Sequence, residues 1–207
     1  SFAQTQFDQG DLLVIGVNVD NKDNTCAPSS NSHYDNIHFL TLVDIKVGTS
    51  IQITDNRYIS NNEFSTTEGF ISFERVGEEI LAGSSFKIDI PLVYNVDLII
   101  NGWKIIRRNV NFALPNNDPD QFFVLQNAEF NSSTGVVSGS NLKYLFAYNT
   151  KKEWSTVTNA NNSQLPPQIN CFYIDNDKNN PTNGTHRKYR YYSGDTTGSL
   201  SKTEWIK

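Results

Sequence analysis

The sequence has no methionine, two cysteines, three histidines and three tryptophans in 207 residues. Each scarcity narrows what the chain can do. The histidines, His33, His38 and His186, stand in unrelated contexts. His33 and His38 are close enough in sequence to share a metal with Asp35, but read more simply as a loop residue and a strand-surface residue. No G-x-S-x-G, H-E-x-x-H, G-x-x-x-x-G-K-[ST] or G-x-G-x-x-G motif occurs, so the familiar nucleophile, zinc, P-loop and dinucleotide signatures are missing. Glu78 and Glu79 are adjacent; on a strand they would face opposite ways and could not act as a close acid/base pair.

No apolar run approaches the roughly 20 residues that cross a bilayer as a helix, and a soluble, non-spanning chain is expected. Basic residues number 17 against 22 acidic ones, a formal charge of -5 without a basic stripe. Nucleic acid is therefore not an expected partner.

The start, "SFAQTQF", resembles the end of a secretory signal peptide, with Ser1 and Ala3 at the small-residue positions of a cleavage site. Residues 1–3 read as a remnant and residues 4–207 as one domain. Absence of methionine fits a removed initiator, and a tag remnant at Ser1 would look the same. In an exported protein Cys26 and Cys171 read as a disulfide; two buried free thiols are the alternative. Neither cysteine belongs to a C-x-x-C pair, so zinc is not suggested.

Apolar and polar residues alternate at period two through much of the chain, the pattern of strands with one face on a core. Leu13, Ile15, Val17 and Val19 form one such face, and Ile37, Phe39, Thr41, Val43 and Ile45 another. Further strands are expected at "SIQIT", "FISFERV", "SSFKIDI", "WKIIRRNVNF", "DQFFVLQ", "LKYLFAYN" and "NCFYI". Turn residues punctuate them at "KVGTS" and "LAGSS". The expected fold is all-β, a two-sheet sandwich of immunoglobulin-like or jelly-roll type. Asparagine tolerates left-handed backbone, so Asn-rich stretches read as ordered loops. At the end, Ser201 and Glu204 form a capping box and Leu200 and Trp205 a hydrophobic staple, so a short helix starts there and the chain reads as truncated.

Two Asx-rich segments carry candidate metal ligands. Asp20 and Asp23 lie in "VDNKDN", and Asp175 and Asp177 in "DNDKNN" just after Cys171. They supply hard oxygen donors suited to calcium, without the glycine and closing glutamate of an EF-hand loop. A disulfide would bring the two loops together; plain strand-end turns are the simpler reading. Asp55 joins the set as a carboxylate for a divalent cation.

Candidate ligand contacts are Tyr58, Trp103, Trp154 and Tyr191, aromatics in or beside polar stretches and expected to be exposed for stacking on sugars or anchoring a protein. In "HRKYRYY" the alternation also fits a strand with Tyr189 and Tyr191 turned inward. Sequons at Asn131, Asn161 and Asn183 imply surface loops wherever the source glycosylates them.

The segments "GDLLVIGVNVDN", "FLTLVDIKVGTSIQITDNRY" and "STTEGFISF" resemble a domain of large secreted or surface-attached bacterial proteins. Its pattern runs GDI-x-F-x-GYN-x-D, then FVLL-x-DI-x-x-GT-x-I-x-FTDNGW, then T-x-EG. Matched positions include Gly10, Asp11, Asp44, Gly48, Thr49, Thr54, Asp55, Asn56 and Gly69, and "PDQFFVLQ", "YLFAYNTKKEW" and "SQLPPQI" extend the likeness over nearly the whole chain. Arg57 and Tyr58 depart from the pattern's Gly-Trp, and the insertion carrying Cys26 makes any disulfide local to this chain. The resemblance implies a β-sandwich akin to the immunoglobulin-like lamin tail domain, and export. It implies no settled activity.

The expected function is a non-catalytic, secreted or cell-surface interaction or adhesion module, binding a glycan, an envelope protein or another copy of itself. The alternative is a divalent-cation-dependent hydrolase or enzyme accessory domain built on loop carboxylates.

Overall fold

The computed structural model describes residues 3–18, 34–91, 97–108, 112, 114, 121–149, 154 and 163–169. Among these residues the protein is all-β, with no helix and with every strand pairing antiparallel. No helix among them is long and apolar enough to cross a membrane. The expected C-terminal helix start, Cys26 and Cys171 lie outside the described residues.

Strands are numbered in chain order. One sheet has the order β1-β2-β7, from β1 (Leu12–Asn18), β2 (Tyr34–Thr41) and β7 (Ser85–Pro91). The other has the order β13-β10-β3-β6-β9-β8. Its strands are β3 (Ser50–Thr54), β6 (Phe70–Arg75), β8 (Ile99–Ile100), β9 (Trp103–Arg108), β10 (Gln121–Gln126) and β13 (Lys143–Asn149).

The sheets face each other across one core. Leu12, Ile37, Phe39, Ile88 and Ile90 from the small sheet meet Ile51, Ile53, Ile71, Phe73, Ile105, Phe122 and Val124 from the large one. Burying each such side chain contributes about 1.5–3 kcal/mol, which is what holds the layers together. An aromatic stack crosses this core. Phe39 stacks on Phe86 at 5.3 Å, and Phe86 on Trp103 at 5.5 Å. Phe7 plugs the same core, and its preceding segment is clasped by Gln126, which accepts from Phe7 N at 2.8 Å and donates to Thr5 O at 2.7 Å.

The period-two reading holds for Ile37, Phe39, Thr41 and Ile45, all fully buried. It fails on β1. The β1/β2 register shifts between Val14 and Gly16, so the core-packed residues are Leu12, Val14 and Val17, while Ile15 is 55% exposed. One extra residue in a strand reverses the faces beyond it.

The large sheet is covered on its outer side too. Successive residues of a strand point to opposite faces; on β10, Phe122 and Val124 join the inter-sheet core, and Phe123 and Leu125 a second one. Over that second core lie two ribbons, β4 (Tyr58–Ser60) with β5 (Glu63–Phe64), and β11 (Glu129–Phe130) with β12 (Val137–Ser138). They are joined by Phe64 N to Gly135 O at 2.8 Å and Val137 N to Asn62 O at 2.8 Å. Tyr58, Phe64, Phe130, Val137 and Tyr144 fill the space between ribbons and sheet.

Asparagine explains many of the turns. The described non-glycine residues with positive φ are Asn61, Asn62, Asp97, Asn101, Asn127 and Asn141. All but one are Asn, the residue best able to adopt that conformation without glycine's freedom.

Candidate functional site

Of the Asp candidates for a metal in the Asx-rich segments and at the end of β3, Asp55 alone is among the described residues; Asp20, Asp23, Asp175 and Asp177 lie outside them. It sits at the end of β3 in the stretch Thr54-Asp55-Asn56, where all three residues are buried. The polar groups there bond to one another and to the returning loop. Asp55 Oδ1 accepts from Gly69 N at 2.6 Å, and Gln121 Nε2 donates to the Asp55 carbonyl at 2.7 Å. Thr54 Oγ1 and Asn56 Nδ2 both donate to Gly69 O, at 2.7 and 2.8 Å. Asn56 Oδ1 accepts from Ser65 Oγ at 3.2 Å and Glu68 N at 3.0 Å.

This network sews loop 65–69 onto the sheet. Gly69 is required there, since a Cβ would lie 2.2 Å from Phe112 N. Among the described residues no three His, Cys, Asp or Glu groups gather as a metal-ligand set. Asp55 Oδ1 is thus engaged by the backbone of the returning loop.

Other residues of the quoted motifs also hold turns. Asp11 Oδ2 accepts from Asp8 N at 2.6 Å across a turn whose Gly10 has φ 87°. Asp44 Oδ1 accepts from Ala82 N at 2.9 Å, and Thr49 Oγ1 from Thr5 N at 2.9 Å.

The expected exposure of the aromatics is corrected. Tyr58 is 2% exposed, edge-on to Phe64 at 5.3 Å and Tyr144 at 6.1 Å. Trp103 is likewise 2% exposed, inside the aromatic stack. Trp154 is half-buried and packs on Phe123 at 5.5 Å. Polar sequence neighbours misled for Tyr58 and Trp103 because each lies on a strand that also carries residues reaching towards solvent. Tyr191 lies outside the described residues, as do His33 and His186. His38 is a surface strand residue, with Nε2 2.9 Å from Asn36 Oδ1.

Arg75 is the one buried cation among the described residues. Its guanidinium lies 5.6 Å from the Trp103 ring centre, with Nε donating to Glu78 O at 2.7 Å and Nη1 to Asn101 O at 2.8 Å. Burial pulls its pKa below the ordinary arginine value, and the nearby Glu78 opposes that. An always-charged guanidinium can endure such a place because two carbonyls and an aromatic face replace water.

One end of the sandwich presents a feature sequence reasoning missed. Loops 42–49 and 76–84 meet there, joined by Ile45 N to Ile80 O at 2.7 Å and Ile80 N to Ile45 O at 3.1 Å. They expose Val47 at 43%, Val76 at 37% and Leu81 at 63%. Lys46 and Glu79 form an ion pair beside them, and that hydrogen bond holds the Lys46 ammonium above its ordinary pKa. The signal was present: aliphatic residues precede Gly48, Gly77 and Gly83 in turns, where polar residues are usual.

Compared with protein-family models, with curated proteins and with solved structures, the chain matches none.

Proposed function

We propose that the protein is an exported cell-surface interaction module, non-catalytic, that binds a protein of the cell envelope through the loop end carrying Val47, Val76 and Leu81. The observation behind this reading is that end itself. Aliphatic side chains are exposed on two loops that backbone hydrogen bonds hold together, and loops positioned by a rigid scaffold are where binding residues concentrate. Aliphatic groups suit a protein partner; sugar rings call for exposed aromatic faces. Tyr58, Trp103 and Trp154 are all packed in the body, which favours a protein over a glycan.

Of the loop carboxylates on which a cation-dependent hydrolase reading would rest, Asp55 is the one among the described residues, and it accepts from the backbone of Gly69 inside the fold. That engagement supports the non-catalytic alternative. Export rests on the signal-like start and on the resemblance of the motifs to surface proteins.

The test is binding of the purified chain to isolated cell envelopes before and after protease treatment. Saturable binding lost after protease and reduced by Leu81→Asp supports the reading. Binding that survives protease but is competed by free glycan would replace it with a lectin reading, and dimerisation lost on the same substitution would point to self-assembly.

A further inference from the structure

The three sequons are not equivalent once folded. Asn161-Asn162-Ser163 ends on Ser163, which is 1% exposed and whose Oγ accepts from Tyr58 N at 3.0 Å and donates to Gln164 O at 3.0 Å. A transferase needs that third hydroxyl accessible, and here it is bound inside the fold. The sequon at Asn183 lies outside the described residues.

Asn131-Ser132-Ser133 is the opposite case. It sits at the tip between β11 and β12, and residues 131–134 are all exposed. The tip is rigid: Asn131 N donates to Val136 O at 3.0 Å and Gly135 N to Asn131 O at 2.8 Å. Gly135 is needed there, with φ 75° and no room for a Cβ, which would lie 1.9 Å from Phe64 O. Asn131 Oδ1 accepts from Ser133 N at 3.0 Å and Thr134 N at 3.3 Å. This Asx turn engages the amide oxygen and leaves Nδ2 as the group on offer. Glu129, two residues earlier, is exposed beside it.

We propose that Asn131 is a site of N-linked glycosylation, in a form that the folded protein can present, whereas Asn161 is closed once Ser163 is buried. The proposal rests on the export reading, because the donor, a saccharide joined through diphosphate to a membrane lipid, is used on the outer side of the membrane. Asn131 Nδ2 attacks the anomeric carbon and forms the C–N bond. The C–O bond to the lipid diphosphate breaks, its electron pair leaves on the phosphate oxygen, and one amide proton passes to a base of the transferase.

Intact-glycopeptide mass spectrometry on protein purified from its natural source tests this, with its cellular fraction recorded. The expected result is glycan on the Asn131 peptide and none on the Asn161 peptide. Ser133→Ala should abolish the glycoform with an unchanged melting temperature, since only the Ser133 backbone serves the turn; Ser132→Ala should leave the glycoform in place. Unmodified Asn131 in protein found outside the cell overturns the site alone. Unmodified protein found only in the cytosol overturns the site and the export reading together. Glycan at Asn161 in the folded protein contradicts the role given to Ser163.

Discussion

Arg75 and Trp103 are direct cross-strand partners on β6 and β9, and the guanidinium lies over the indole at 5.6 Å. The pair closes the stack that begins at Phe39 and runs through Phe86, so it ties β2 and β7 of the small sheet to β6 and β9 of the large one. Trp103→Ala should therefore destabilise the fold by about 4 kcal/mol. Trp103→Phe, which keeps a ring between Phe86 and Arg75, should lose much less. Urea denaturation of the two variants checks this, and equal losses would show that a ring kept between Phe86 and Arg75 contributes nothing to stability.

Asp55 and Asn56 should act on stability and not on cation response. Asn56→Ala leaves Gly69 O and Glu68 N short of buried partners and should lower stability on the order of 3 kcal/mol. Asp55→Ala should lower the melting temperature by the same amount with and without EDTA. A loss seen only when divalent ions are present would restore Asp55 as a ligand.

Gly69 and Gly83 should respond very differently to alanine. At Gly69 the new methyl meets backbone at 2.2 Å, so Gly69→Ala should destabilise severely or prevent folding. Gly83 has open space around it and only a positive φ of 82°, so Gly83→Ala should cost roughly 1–2 kcal/mol. Thermal melts of both would decide whether close approach or backbone angle governs these turns.

Alkaline pH should weaken the fold through Tyr144. Burial pushes its phenol above the ordinary value, and neighbouring Tyr58 pushes the same way. Its hydroxyl also donates to Asn62 Oδ1 at 2.9 Å. The unfolded chain ionises this group near pH 10 or about that value. Above it the unfolded state has released a proton the folded state keeps, so stability is full below that pH and falls as pH rises toward the folded value. Tyr144→Phe should flatten the fall, as measured by urea unfolding on either side of the unfolded-state pKa; an unchanged slope would remove Tyr144 from the account.

The sandwich was legible because Ile37, Phe39, Thr41 and Ile45 are buried and Val43 partly so, at alternate positions across β2 and the turn beyond it. The β1 faces were not, since nothing in "LLVIGVN" announces that Gly16 follows a bulge. The outer core had a sign that period-two reading passes over: "FFVL" in β10 is continuously apolar, as a strand buried on both faces must be. Tyr58 and Trp103 were misplaced because a side chain's exposure depends on partners distant in sequence, Phe123 and Tyr144 for one, Phe86 and Arg75 for the other. Likewise, nothing near Asp55 in the sequence shows that Gly69, fourteen residues away, donates to its Oδ1.

The most direct test is the binding isotherm of Leu81→Asp on isolated envelopes, beside that of the unaltered chain. Leu81 is 63% exposed, so the change should leave the melting temperature within about 1 °C while weakening binding at least about tenfold. Binding unchanged by Leu81→Asp, in a protein that still folds, would contradict the assignment of the loop end as the contact surface.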